Sequence, residues 1–473
     1  MPDTEDRGRR LSGVPQQRYG RVPPRADVVT YRVRAELLET TPPVWRKLML
    51  ASDLNLADLH DILQVAFGWT DSHLHGFAAG PEFYSKEAER YLCPFDEAEG
   101  EDEGVPEAQV RLDEVLAEEG DLLAYAYDYG DGWQHLITLE AVLPRTGGTQ
   151  RAICTGGERD GPVEDCGGAA SYELIAAATD PANVGRAGAL ADFAAIFGAQ
   201  ADPADFRPTP FDVDQINAAL ARLGPSPVID IASLPPRLAE LVSLIPGLRT
   251  LRELLAAAGL TDAVEIDPAT AARMVRPYAW LLNRVGTGGI RLTSAGYLPP
   301  VHVAAAFADL GLAEEWIGKG NREADTVPVW RLRETAQKLG LIRKRLGELQ
   351  LTARGRAVRD DPVALWWYLA ERMPVGSADE LQSQAGLLCL LVIAAGRPCD
   401  VGVVVADLLG SIGWMWSDGT PLTPGVLERA AGDTSEVLRR IGAMNGNLLS
   451  SLAATPTADG ALFARAALRT WPA

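Results

Sequence analysis

Tyr125-Ala-Tyr-Asp-Tyr-Gly-Asp-Gly-Trp-Gln-His-Leu-Ile-Thr-Leu139 decides how the first half of this chain is read. Two runs rich in aromatic and β-branched residues flank Gly130-Asp131-Gly132, and Asp-Gly between such runs is a strong hairpin signal. Side chains alternate along a strand, so Trp133, His135, Ile137 and Leu139 share one face. The stretch predicts an antiparallel hairpin that carries aromatic and ionisable groups. It names no reaction.

Upstream of the hairpin, residues 28–38 alternate as a strand. Residues 41–50, opened by Pro42 and Pro43, read as a second strand. Asn55 is placed to cap a helix over 56–67, where Leu56, Leu59, Leu63, Ala66 and Phe67 form one apolar stripe with His60 on or beside it. Gly68 and the residues up to Asp71 end that helix. Residues 73–78 then read as a strand with His73 and His75 on the same face. The acidic, Gly- and Pro-dotted residues 93–109 read as a solvated loop, followed by a short helix near 112–119. Downstream, 144–165 reads as a long Gly-rich loop, with helices over 172–179 and 213–223, and Gly224-Pro-Ser-Pro227 marks a boundary.

The expected organisation is a disordered tail over 1–26, an α+β domain of antiparallel strands with packed helices over 27–225, and a mostly α-helical module over 228–473. That module repeats weakly. A helix is followed by a short hairpin and Leu-Thr-x-x-Gly near Leu292 to Gly296, and again near Leu351 to Gly355. A degenerate third copy runs from Val437 to Gly460. This is how the end of a winged-helix unit reads, with the hairpin as the wing, and uneven spacing points to tandem winged-helix-like units rather than a solenoid.

At 473 residues two or three domains are expected, and the formal net charge of −20 disfavours a whole surface that coats nucleic acid or anionic lipid. Five scattered cysteines do not resemble a secreted disulfide framework, which points to a cytoplasmic protein. The longest apolar run, 385–395, is too short to span a bilayer, so no membrane partner is expected.

Four ordered blocks carry a family resemblance: Pro42-Pro-Val-Trp-Arg46; Leu59-His60 with Phe67-Gly-Trp-Thr-Asp-Ser-His-Leu-His75; Tyr127-Asp-Tyr-Gly-Asp-Gly-Trp-Gln-His135; and Glu164-Asp-Cys-Gly-Gly168 with Tyr172. Together they resemble the plasmid pRiA4b ORF-3-like family, whose members travel as passengers on plasmids and insertion elements. The resemblance spans about Val28 to Leu223 and departs from the family at Pro162-Val163, where two prolines are usual. It implies an α+β fold for that half and no established activity. Some relatives carry a resolvase-like name, but no Arg-Ser nucleophile motif follows an N-terminal strand here.

Several constellations are candidates for chemistry. His73 and His75, two apart on a strand, with His135 on a neighbouring strand and Cys166, have the donor types of a zinc site. The competing reading makes them satisfied core or surface groups. Trp45, Arg46, Trp69, His73, His75, Asp128, Tyr129, Asp131, Trp133, His135, Glu164 and Asp165 form a candidate ligand or partner surface. Arg46 is read as an anion contact or as stacked on Trp45 or Trp69, against a surface ion pair. Turn chemistry accounts for Asp131 fully and for Asp128 in part. Neither a Gly-x-Ser-x-Gly elbow nor a phosphate loop is present. In the helical module, Arg331, Lys338, Arg343, Lys344 and Arg345 are candidate DNA contacts, a helix entering the groove and a wing meeting phosphate. The same basic face also suits a protein partner. The leading reading is a non-enzymatic cytoplasmic binding or adaptor protein with a protein partner. The alternatives are a metal-dependent hydrolase using the histidines and a DNA-binding regulator.

Overall fold

A computed structural model describes residues 19–100, 102–206, 208–229, 231–245, 249–314, 316–376, 379–445 and 454–470. The expected tail over 1–26 lies outside the described residues as far as residue 18. Residues 19–26 depart from it: the Val22 amide donates to the Glu114 carbonyl at 2.8 Å and Arg21 pairs with Glu89 at 3.1 Å.

The first half runs β1 (Thr30–Leu37), β2 (Val44–Ala51), α1 (Leu56–Phe67), β3 (His75–Ala79), β4 (Arg90–Leu92), α2 (Pro94–Glu99), β5 (Val105–Pro106), α3 (Leu112–Val115), β6 (Leu122–Tyr127), β7 (Trp133–Leu143), β8 (Ala152–Glu158), α4 (Gly168–Thr179), α5 (Arg186–Phe197) and α6 (Val213–Leu220). The strands form one eight-stranded sheet, in the order β5-β4-β3-β6-β7-β1-β2-β8. Every pairing in it is antiparallel except β4–β5. Asn55 caps α1 as expected. Its side chain accepts from the Asp58 amide while Asp58 answers the Asn55 amide, and Gly68 ends the helix at a φ of 82°. On β7 the residues Trp133, His135, Ile137, Leu139 and Ala141 are all buried, as alternation requires.

Three local expectations give way. Tyr127 pairs with Trp133, so the central hairpin closes on a five-residue loop, Asp128 to Gly132, rather than on Gly130-Asp131-Gly132 alone. Asp128 makes that loop. It takes a φ of 53°, its carbonyl accepts from the Gly132 amide at 2.7 Å, and its Oδ1 accepts from the amides of Gly130 and Asp131. Turn chemistry therefore belongs to Asp128, while Asp131 Oδ2 reaches the Gly167 amide at 2.9 Å. The supposed Gly-rich loop contains β8, which extends the sheet beside β2. The acidic segment is not a solvated loop: it contributes β5, and Glu107 and Asp96 are 1% and 7% exposed.

One compact unit takes the chain to Val228 and also Arg249, the first residue of a helix; a second takes Ile229–Ile245 and continues from Thr250. The second is mostly helical: α7 (Pro236–Ser243), α8 (Arg249–Ala258), α9 (Pro268–Val285), β9 (Ile290–Arg291), α10 (Pro300–Asp309), α11 (Val327–Lys338), β10 (Ile342–Arg345), β11 (Glu348–Leu351), α12 (Ala353–Val358), α13 (Pro362–Ala370), α14 (Glu380–Ala394), α15 (Val401–Ser411), α16 (Val426–Ala430), α17 (Gly432–Arg440), β12 (Met444–Asn445), β13 (Thr455–Pro456) and α18 (Ala458–Arg469). No helix among the described residues is long and apolar enough to cross a membrane.

The first of the expected repeats is not a unit of its own. β9 pairs with β11 in a three-stranded sheet of order β10-β11-β9, so 288–296 supplies one strand to the hairpin of the second repeat. Thr293 closes a turn there, accepting the Gly296 amide on its carbonyl, rather than opening a helix.

The second and third copies match each other closely. After α11, Gly340 has a φ of 72°, the Thr352 hydroxyl donates to the Gly340 carbonyl, and Thr352 caps α12 through the Gly355 amide. After α17, Gly442 has a φ of 70°, Thr457 donates to its carbonyl, and Thr457 caps α18 through Gly460. A Cβ at Gly355 would sit 2.0 Å from the Leu341 carbonyl oxygen, and one at Gly460 would sit 1.8 Å from that of Ala443. Thr-x-x-Gly is thus fixed by a cap and by one close backbone approach.

Candidate functional site

The family blocks converge at one end of the β3–β6–β7 part of the first sheet. Trp69 stacks on Tyr127 with centroids 4.7 Å apart and meets His135 edge-on at 5.1 Å and Trp133 at 6.0 Å. Its Nε1 donates to the Pro162 carbonyl at 3.1 Å. Trp69, Trp133 and His135 are core residues, 6%, 1% and 1% exposed, rather than a ligand-facing surface. His135 lies against Phe67, Trp69 and Tyr125, and neither ring nitrogen makes a well-formed hydrogen bond. Burial disfavours its imidazolium and lowers its pKa to about 3; weak approaches of the Tyr125 and Trp133 carbonyls only partly oppose this.

Beneath this cage, sequence reasoning missed a buried network. His60 comes from α1 and His75 opens β3, and their rings stack at 3.4 Å and 6°. His60 Nδ1 faces the Tyr125 hydroxyl at 2.9 Å and its Nε2 faces Asp71 Oδ1 at 2.8 Å. Gln64 Nε2 donates to the same hydroxyl, and Gln64 Oε1 accepts the Asp71 amide. These partners suit a tautomer in which Tyr125 donates to His60 and His60 donates to Asp71. His75 Nε2 meets Glu107 Oε2 at 3.0 Å, and its Nδ1 makes no hydrogen bond. Both imidazoles have no exposed surface. For Glu107 the one available signal was the apolar company of Val105, Pro106 and Val110 in an otherwise acidic run.

The expected quartet His73, His75, His135 and Cys166 is not assembled. Among the described residues, the groups whose donor atoms lie within 4.8 Å of one another are His60, Asp71 and His75, and separately His73, Asp128 and Asp165. The cause is that His73 precedes the strand: β3 begins at His75, so the two histidines do not share a strand face. Cys166 is fully buried and burial lifts its thiol to about 12, which leaves no thiolate near neutral pH.

At the surface, three loops are tied together. Glu164 accepts the Tyr127 hydroxyl at 3.0 Å and the Thr70 amide at 2.8 Å, and the Ser72 amide donates to Tyr127 Oη. His73 Nε2 lies 3.1 Å from Asp165 Oδ1, 3.6 Å from Asp128 Oδ2 and 3.7 Å from Glu164 Oε2. Tyr129, 36% exposed, donates to Asp96 at 3.3 Å.

Arg46 takes none of the expected roles. It is 1% exposed, with Nε on the Ala66 carbonyl and Nη1 on the carbonyls of Trp45 and Glu158, at 2.8–3.1 Å. The guanidinium lies over Phe67 and Phe211 instead of Trp45 or Trp69, and burial lowers its pKa to about 10. Trp45 is half-buried, donates to Glu158 and lies under Arg34. In the second unit, Lys338 and Arg331 of α11 both turn to Asp433 at 2.5 and 3.9 Å, so the basic residues of the expected groove helix pair with a neighbouring helix. Arg343, Lys344 and Arg345 stay exposed on β10.

The model of the plasmid pRiA4b ORF-3-like protein family matches residues 29–215. The "Uncharacterized protein y4hQ" of Sinorhizobium fredii is 31% identical over 160 residues, covering 33% of this chain and 76% of that protein. A solved protein of unknown function, MM3350 from Methanosarcina mazei Go1, is 27% identical and aligns over 40% of this chain and 96% of its own, with a TM-score of 0.31. Through its N-terminal half, the chain belongs to the plasmid pRiA4b ORF-3-like family.

Proposed function

We propose that this is a non-enzymatic cytoplasmic binding protein whose first unit presents the rim around His73, Tyr129, Asp131, Glu164 and Asp165 to a cationic ligand or the basic face of a protein partner. One observation carries the reading. The groups a hydrolase of this pattern needs at the surface are spent in packing: His60, His75, His135, Trp69, Trp133 and Cys166 are all buried. What remains outside is a platform of carboxylates braced by backbone amides and tyrosine hydroxyls. The purified chain, with and without added zinc or manganese, is expected to turn over p-nitrophenyl acetate, p-nitrophenyl phosphate and supercoiled plasmid at background rates. Turnover of any of the three that His73→Ala abolishes would refute the non-enzymatic reading.

A second reading concerns the helical unit. Its element order, α9-β9-α10-α11-β10-β11, supports a winged-helix-like arrangement with β10–β11 as the wing. Among the described residues, Arg343, Lys344 and Arg345 have no carboxylate ion pair, in a chain of net charge −20. They suit phosphate contact without groove readout. Duplex binding by the full chain is expected to weaken steeply with salt. In an R343A/K344A/R345A variant the log–log slope is expected to flatten by about 0.9 for each phosphate that the variant no longer neutralises. No duplex binding at low salt would end this reading.

A further inference from the structure

We propose that the rim of the first unit is a built site for one divalent transition-metal ion, held by His73 Nε2, Asp128 Oδ2 and Asp165 Oδ1, with the Glu164 carboxylate beside it. The inference deepens the binding-face reading above and rests on its placing that face at this rim. It is a different set from the four residues expected from sequence: His73 is the only member in common, and its partners come from the β6–β7 loop and the loop before α4.

The spacing fits a metal. Bonds of about 2.0 Å at tetrahedral angles put donor atoms roughly 3.3 Å apart. The distances from His73 Nε2 to Asp165 Oδ1 and Asp128 Oδ2, 3.1 and 3.6 Å, bracket that value.

Two donors are incompletely satisfied. His73 Nε2 is closed to solvent and makes no hydrogen bond, although three carboxylates surround it. The Asp128 side chain is 8% exposed; its Oδ1 is satisfied by the amides of Gly130 and Asp131, while its Oδ2 takes no hydrogen bond and faces His73 from 3.6 Å. That gap is beyond a hydrogen bond, so neither atom satisfies the other. A cation placed between them satisfies both, and it offsets the repulsion of three converging carboxylates.

The donors are also held in place, as ligands must be. Backbone amides fix Asp128, and the Tyr127 hydroxyl and the Thr70 amide hold the neighbouring Glu164 carboxylate. One imidazole among oxygens favours a first-row transition ion over magnesium or calcium. The buried trio His60, Asp71 and His75 does not compete. Parallel rings 3.4 Å apart share no in-plane position for one ion, and both His60 nitrogens already face partners.

The test is metal uptake by the full chain, stripped with chelator and titrated with zinc, manganese or magnesium ions in equilibrium dialysis. One ion per chain is expected, with zinc tighter than manganese, as the usual affinity order of these ions requires, and no uptake of magnesium at the same concentrations. His73→Ala and Asp165→Asn are each expected to weaken zinc binding about tenfold or more. Asp165 is 77% exposed on its side chain, so its variant keeps the fold and answers for any misfolding of the other. No stoichiometric uptake by the unmodified chain, or equal uptake by the chain and both variants, would overturn the site. The turnover assays are separate: a metal-free rim would leave the non-enzymatic reading intact, whereas uptake with His73-dependent turnover would keep the site and remove that reading.

Discussion

Arg46→Ala is expected to cost about 4 kcal/mol of unfolding free energy, measured by urea denaturation of the full chain. The guanidinium donates to three buried or half-buried carbonyls, those of Ala66, Trp45 and Glu158. Each buried hydrogen bond lost without replacement costs on the order of 1–3 kcal/mol, and the vacated space between Phe67 and Phe211 adds a cavity term. Among the described residues no carboxylate pairs with Arg46, so the loss is one of hydrogen bonds and packing rather than of an ion pair. Arg46→Lys is expected to recover little, because a single ammonium cannot replace a planar fork that holds carbonyls on two sides. A change of less than about 1 kcal/mol for Arg46→Ala would show that the clamp contributes nothing net.

The second large effect depends on pH. His135 has a folded pKa of about 3, whereas an unfolded histidine titrates near 6.5. Above about pH 6.5 both states are neutral and the full stability is present. Below that the unfolded chain takes up a proton that the folded chain refuses, so stability falls by about 1.4 kcal/mol per pH unit until pH approaches 3. The whole window is worth about 5 kcal/mol by the same linkage. Other groups titrate there too, so the comparison that isolates His135 is with His135→Phe, which keeps an aromatic ring in the cage and removes the titration. The stability difference between the two proteins is expected to move by about 2 kcal/mol in favour of the variant between pH 7 and pH 5. A difference that stays flat over that range would mean the folded protein accepts the proton.

These two residues show how the site could and could not be read in advance. The sequence places His135 on the same strand face as Trp133 and Ile137, and that holds because strand alternation is local. It does not reveal that this face meets Phe67 and Trp69, which turns a candidate ligand into a dry core group. Arg46 follows two prolines and a tryptophan and reads as a surface cation. Its burial follows from α1 ending at Phe67 and from Phe211 arriving more than a hundred residues later.

What the chain determined by itself is what short-range physics controls. The capping box of Asn55 and Asp58, the Gly68 stop, the alternation of β7 and the Thr-x-x-Gly helix starts at Thr352 and Thr457 are each closed within a few residues by backbone bonds and periodicity. What the tertiary structure alone decided is which distant segments meet. β8 found β2, β9 left its own repeat for β11, His75 joined His60 and Glu107 instead of His73, and His73 joined Asp128 and Asp165. Sheet order and burial choose those partners, because a buried polar group must find its complement somewhere in the fold, and local sequence does not record where that complement will be.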